Sequence, residues 1–79
     1  MRARWKFVCY LDAEGHEVLE IFDPEIIHSA YVERERIARD RLISAGFATV
    51  YGECYGHSTS LGISARLDAD TALLRARIG

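Results

Sequence analysis

Residues 23–46 read "DPEIIHSAYVERERIARDRLISAG", and the shape assigned to these 24 residues decides everything around them. Asp23 suits a helix N-cap, Pro24 the first helical position, and Glu25 the positive end of the helix dipole. Ile27, Ala30, Tyr31, Ile37, Ala38, Leu42 and Ala45 then fall on one stripe at helical spacing, and Gly46 suits the C-cap. The spacing therefore predicts one long helix from Asp23 to Ala45. Its outer face holds Glu35 with Arg39 and Arg36 with Asp40 four residues apart, pairs worth about 0.2–0.5 kcal/mol each. A solvated face is the plain reading of "ERERIARDR"; an anion-binding row built on Arg36 and Arg39 is the sharper one.

Upstream, "RWKFVCYL" (residues 4–11) and "EVLEIF" (17–22) alternate as strands do, and "DAEGH" between them carries the residues of a tight turn. Pairing about Glu14 sets Phe7 opposite Ile21 and Cys9 opposite Leu19. Trp5, Phe7, Cys9, Leu11, Leu19 and Ile21 then share one face. Lys6, Val8, Tyr10, Val18, Glu20 and Phe22 share the other.

Downstream, 47–55 and 58–65 read as a second hairpin about Gly56-His57, a two-residue turn with glycine first. That register pairs Cys54 with Thr59, Gly52 with Leu61 and Val50 with Ile63. It separates an apolar face (Ala48, Val50, Gly52, Cys54, Thr59, Leu61, Ile63, Ala65) from a polar one bearing Phe47, Tyr51, Glu53, Tyr55, Ser58 and Ser60. The chain closes on "DADTALLRARIG", a second helix capped by Asp68 with Arg75 and Arg77 at its negative end.

The order ββαββα implies a single α+β domain over residues 1–79. It is a two-layer sandwich: a four-stranded antiparallel sheet with both helices on one face. Moving the first strand to the end gives βαββαβ, so the arrangement looks like a circularly permuted ferredoxin-like topology.

Seventy-nine residues leave room for one core, and 49% hydrophobic with 28% charged composition and a single proline argues for a folded chain. The longest apolar run is Phe7–Leu11, far short of the roughly 20 residues that span a bilayer, and no signal-peptide pattern opens the chain. A cytoplasmic location is the resulting expectation. A formal charge of −2 argues against general nucleic-acid binding. Charge is uneven: residues 12–35 hold eight acids and one base, whereas from Arg36 onward six arginines face four acids.

Chemistry concentrates in "YGECYGHSTSLG" (51–62). Cys54 and His57 have C-x-x-H spacing, but structural zinc needs four ligands and this register turns Cys54 inward, so no metal is expected. His57 beside Ser58 invites a hydroxyl–base pair, yet there is no G-x-S-x-G elbow and no clear third member. A phosphate loop is excluded for want of G-K-[ST]. No catalytic residue and no cofactor follow; a small enzyme with a site at Tyr51, His57 and Ser58 is the minor alternative.

The sheet face away from the helices carries Val8, Tyr10, Val18, Phe22, Phe47, Tyr51 and Tyr55, more apolar surface than scattered exposure gives. The leading expectation is a non-catalytic interaction module that forms a homodimer through this open face. Single-stranded RNA stacking on Tyr10, Tyr51 and Tyr55 is a second reading, opposed by Glu20 and Glu53. A small ligand would sit near Tyr51, Tyr55, His57, Ser58 and Ser60, with Arg66 placed to meet an anion.

Overall fold

The computed structural model describes residues 4–78, so residues 1–3 and 79 of the expected domain lie outside it. In chain order the elements are β1 (Arg4–Leu11), β2 (Glu17–Phe22), α1 (His28–Arg34), β3 (Leu42–Thr49), β4 (Cys54–Tyr55), β5 (His57–Ser58), β6 (Ile63–Ser64) and α2 (Leu67–Ile78). A 3-10 turn, Arg39–Arg41, leads into β3. They form an α+β domain with a four-stranded antiparallel sheet, ordered β2-β1-β3-β4, and a separate two-stranded ribbon of β5 and β6.

The first hairpin forms in the expected register, with Phe7 opposite Ile21 and Cys9 opposite Leu19. Its turn is built by Asp12, whose Oδ1 accepts the backbone N–H groups of Glu14 and His16 at 2.9 Å each.

The long helix does not form. Asp23 organises a turn instead, its Oδ1 accepting the N–H of Glu25 at 2.7 Å and its carbonyl that of Ile26 at 3.0 Å. The helix begins only at His28 and lasts seven residues. It stops in a Schellman motif: Arg36 takes a left-handed φ of 57°, its N–H reaches the Glu33 carbonyl at 3.2 Å, and the N–H of Ile37 reaches that of Val32 at 2.9 Å. Ile37 packs into the same apolar cluster as Val32, the contact that accompanies such caps. Ile27, Ala30 and Ala38, expected on the buried stripe, are exposed. Arg36 and Arg39 do not share a helix face, since a helix no longer joins them.

Residues 42–49 become β3 because β1 has a second edge to satisfy. Between Arg4 and Tyr10, β1 pairs with Leu42–Thr49, with a bulge beyond Cys9. These backbone groups would otherwise remain unpaired along a buried strand.

A second correction concerns layers. Phe7, Cys9, Leu19, Ala48 and Cys54 pack beneath Leu74 of α2. Val8, Phe22 and Ala45 pack beneath Tyr31 and Val32 of α1, joined by Leu61 and Ile63. Successive residues of a strand face opposite ways, so the helices lie on opposite faces of the sheet. Both faces are covered, and a permuted ferredoxin-like sandwich, which keeps its helices on one side, is not what forms.

The second hairpin is also redrawn. Gly56, with φ of 78°, turns the chain as expected, but as a corner rather than a hairpin tip. Before it, Cys54 and Tyr55 pair with Ala48 and Phe47 of β3; after it, His57 and Ser58 pair with Ser64 and Ile63. The expected sorting of Val50, Leu61 and Ile63 with Cys54 therefore fails. Val50 is exposed, Cys54 faces α2, and Leu61 and Ile63 turn toward α1. Once β3 is a strand, it takes β4 as its neighbour. Gly46 is not a helix cap but a point of closest approach: a Cβ there would lie 2.4 Å from the Tyr55 carbonyl oxygen and 3.3 Å from the Ala65 Cβ.

Helix α2 starts at Leu67, and its first turn is fastened by Asp70 rather than Asp68. The Oδ2 of Asp70 accepts the Arg66 N–H at 2.7 Å, while Asp68 stays exposed. Among the described residues no helix is long and apolar enough to cross a membrane.

Candidate functional site

The face expected to be open is closed. Val8 is 0% and Phe22 6% exposed. The Phe22 ring stacks on Tyr31 with centroids 3.9 Å apart, and Val18, Phe47 and Tyr55 are half-buried. Glu20 tolerates this setting because two phenols satisfy it: the Tyr10 hydroxyl donates to Oε2 and the Tyr31 hydroxyl to Oε1, each at 2.5 Å. The hydrogen bond to Glu20 pushes the Tyr10 phenol up to about 12, and burial followed by the same bond raises Tyr31 too. Tyr10, Tyr51 and Tyr55 consequently form no stacking platform, since only Tyr51 stands in solvent, 81% exposed.

Apart from Ile27 before α1 and Leu67 at the start of α2, the large apolar side chains that remain exposed gather at one end of the sheet. Trp5, near the start of β1, sits opposite Ala48 and is 44% exposed. Val50, 56% exposed, and Tyr51 follow β3 in the turn to β4. That turn is well held: the Thr49 N–H reaches the Glu53 carbonyl at 2.9 Å, and the Thr49 hydroxyl accepts the N–H groups of Tyr51 and Glu53 at 3.2 Å each. Beside them lies a cleft of about 230 Å³ lined by Trp5, Ile21, Ala48, Thr49, Val50 and Leu74, without a charged group. Tyr51 thus directly follows Val50, a residue of the cleft wall, and stands in solvent next to it in the chain. Tyr51 was visible in the sequence as a candidate. Trp5 was not, because the alternation of β1 assigns it to the core, whereas near the strand's end it is partly exposed.

The residues proposed for ligand binding are only partly brought together. His57 and Ser60 line a second cavity with Lys6, Ile27, His28, Phe47 and Thr59. Ser58 stands behind it, 2% exposed, its hydroxyl accepting the Leu61 N–H at 3.2 Å and facing the Ser60 hydroxyl at 3.4 Å. A serine so enclosed is not an accessible nucleophile. Tyr55 packs against Phe47, with centroids 5.7 Å apart, and Tyr51 is not among the cavity's lining residues.

Arg66 is already occupied. Its Nη2 donates to Asp70 Oδ1 at 2.7 Å and to Glu17 Oε1 at 3.0 Å, and approaches Cys9 Sγ at 3.4 Å. Bonding to Glu17 and then Asp70 holds the guanidinium firmly protonated, so it serves as a tie between α2 and the first hairpin. Cys54 and His57 part company, one buried under α2 and the other exposed. Burial pushes the free thiols of Cys9 and Cys54 up to about 11, which makes both poor nucleophiles. In the β1–β2 turn Asp12, Glu14 and His16 lie within ligand reach of one another, but the turn's own N–H groups already hold Asp12.

Comparison with protein-family models, with curated proteins and with solved structures finds no match to this chain. The functional reading rests on these surfaces.

Proposed function

We propose that the protein is a non-catalytic interaction module that self-associates as a symmetric homodimer through the Trp5–Tyr51 end of its sheet. The observation that carries this reading is an exposed tyrosine, Tyr51, directly after Val50, which lines an uncharged cleft with Trp5. A two-fold axis through such a surface seats each Tyr51 ring in the Trp5–Val50 cleft of the other copy, the self-complementary contact that a closed dimer requires. Tyr and Trp are the side chains that most often dominate interface energies, and a small core gains most from association. The sheet face first expected to pair is already covered by α1, so the contact moves to the sheet's end. Two buried thiols left free suit a reducing compartment, in keeping with a cytoplasmic setting.

Sedimentation velocity tests this. A dimer is expected at protein concentrations on the order of 100 μM, and Tyr51→Ala should weaken it by about 2 kcal/mol or more. Because Tyr51 is exposed, that variant keeps its fold. A native protein that stays monomeric at the same concentration, or a variant that dimerises equally well, overturns the proposal.

A further inference from the structure

The cavity between the start of α1 and the β5–β6 ribbon has a chemistry that self-association does not use. Its volume is about 230 Å³, and its lining is Lys6, Ile27, His28, Phe47, His57, Thr59 and Ser60. No acid is among them. Lys6 and Phe47 are cross-strand partners on β1 and β3, so ammonium and ring stand side by side on one wall. The ribbon supplies the facing groups, His57, Thr59 and Ser60, all exposed at the mouth.

Lys6 is the chain's only lysine, and it is half-buried. Its Nζ donates to the Ile26 carbonyl at 2.8 Å, and no carboxylate of the described residues lies in ion-pair range. An ammonium has three donors, so two remain for something else. A cation held in a concave, acid-free site without a counter-charge is an incomplete arrangement.

The other groups are fixed in ways that leave room for a ligand. His28 is buried and donates from Nε2 to the Gly46 carbonyl at 2.9 Å, which sets the floor. The Ser60 hydroxyl accepts the Ser29 N–H at 3.1 Å, which pins the ribbon to α1. Ile27, 58% exposed, and Phe47 form the apolar sides. The cavity thus offers an ammonium and hydroxyls alongside apolar side chains.

We propose that this cavity binds a small organic carboxylate with a short apolar body, its carboxylate on Lys6 and the hydroxyls, its body against Phe47 and Ile27. The small volume excludes a drug-sized ligand, for which cavities of about 300 Å³ and upward are usual. Inorganic phosphate would leave the Phe47 wall unused, and an uncharged analogue would leave Lys6 unanswered.

The test is an amide and side-chain NMR titration of the full chain with benzoate, benzamide and inorganic phosphate in parallel. Benzoate is expected to move the resonances of Lys6, Phe47, His57, Thr59 and Ser60 saturably, with benzamide at least about tenfold weaker for want of the charge-assisted bond. Lys6→Met should weaken benzoate by a similar factor of about ten. Because Lys6 also ties the Ile26 carbonyl, that variant could misfold. The exposed His57→Ala and Thr59→Ala then serve as a second arm, a double change expected to weaken benzoate while leaving the spectrum dispersed. Benzamide binding as well as benzoate, phosphate binding better than benzoate, or shifts that map elsewhere would each overturn the assignment, as would no binding at all. Tyr51→Ala should leave benzoate affinity unchanged, which keeps this test separate from that of the dimer.

Discussion

The carboxylate of Asp70 is 0% exposed, and the Arg66 guanidinium one helical turn before it binds Oδ1 through Nε at 3.1 Å and Nη2 at 2.7 Å. The same carboxylate also accepts the Arg66 N–H, so it closes the helix and neutralises the arginine at once. Removing one member of a buried pair leaves the other charge unsatisfied, at a cost of about 3–5 kcal/mol. Arg66 keeps some solvent and its contact with Glu17, which lowers that figure. Asp70→Ala should therefore destabilise the fold by about 2–4 kcal/mol, read as a shift in urea midpoint. Glu17→Gln, at the exposed end of the cluster, should cost under about 1 kcal/mol. Equal losses from the two variants would mean the pair is not organised around Asp70.

Gly46→Ala places a methyl group where the Tyr55 carbonyl already stands, against backbone that cannot rotate away. A loss of about 1–3 kcal/mol is expected from such overpacking. Urea denaturation measures it, and a neutral result would show that the end of β4 does not approach β3 this closely.

Arg36→Gly distinguishes the long helix from the short one by sign. In the left-handed position that ends α1, a non-glycine residue costs about 1–2 kcal/mol, partly offset by the extra freedom glycine gives the unfolded chain. The variant should be up to about 1 kcal/mol more stable. In the middle of a continuous helix it would instead be about 1 kcal/mol less stable. A thermal or urea midpoint settles the direction.

His28 makes the fold acid-sensitive. Burial holds its imidazole below the ordinary value of 6.5, so the unfolded chain binds a proton that the folded chain refuses. The stabilisation is complete above pH 6.5 and is lost progressively as pH falls below it toward the depressed folded value. His28→Gln keeps a donor for the Gly46 carbonyl but does not titrate. Its stability should vary less than the native protein's between pH 7.5 and pH 5, and identical pH dependence would exclude His28 as the cause.

The parts of this fold legible from sequence were those decided locally. The β1–β2 register follows from alternation and from Asp12 and Gly15 in the turn, and α2 from its flanking charges. The stretch 37–46 was ambiguous, because Ile37, Leu42 and Ala45 fit a helical stripe while Leu42 to Thr49 can equally line a strand. The choice lies with β1, nearly forty residues away in places, whose second edge needs a partner. From that one substitution of strand for helix the other errors follow: β4 joins β3, the ribbon folds separately, and α1 covers the face reserved for a dimer. His57 and Ser60 were found as site candidates from residue type alone. Lys6 and Phe47 were placed on the same sheet face as Ser60 but not gathered into one cavity with it, since that depends on where the ribbon lands.

Strand β1 stands as a party wall between two compartments, with Phe7 belonging to the α2 side and Val8, the next residue, to the α1 side. Neither half can be lost while the other persists, because each would have to give up the same eight residues of backbone. So small a chain, although filled on two sides, should melt in a single step.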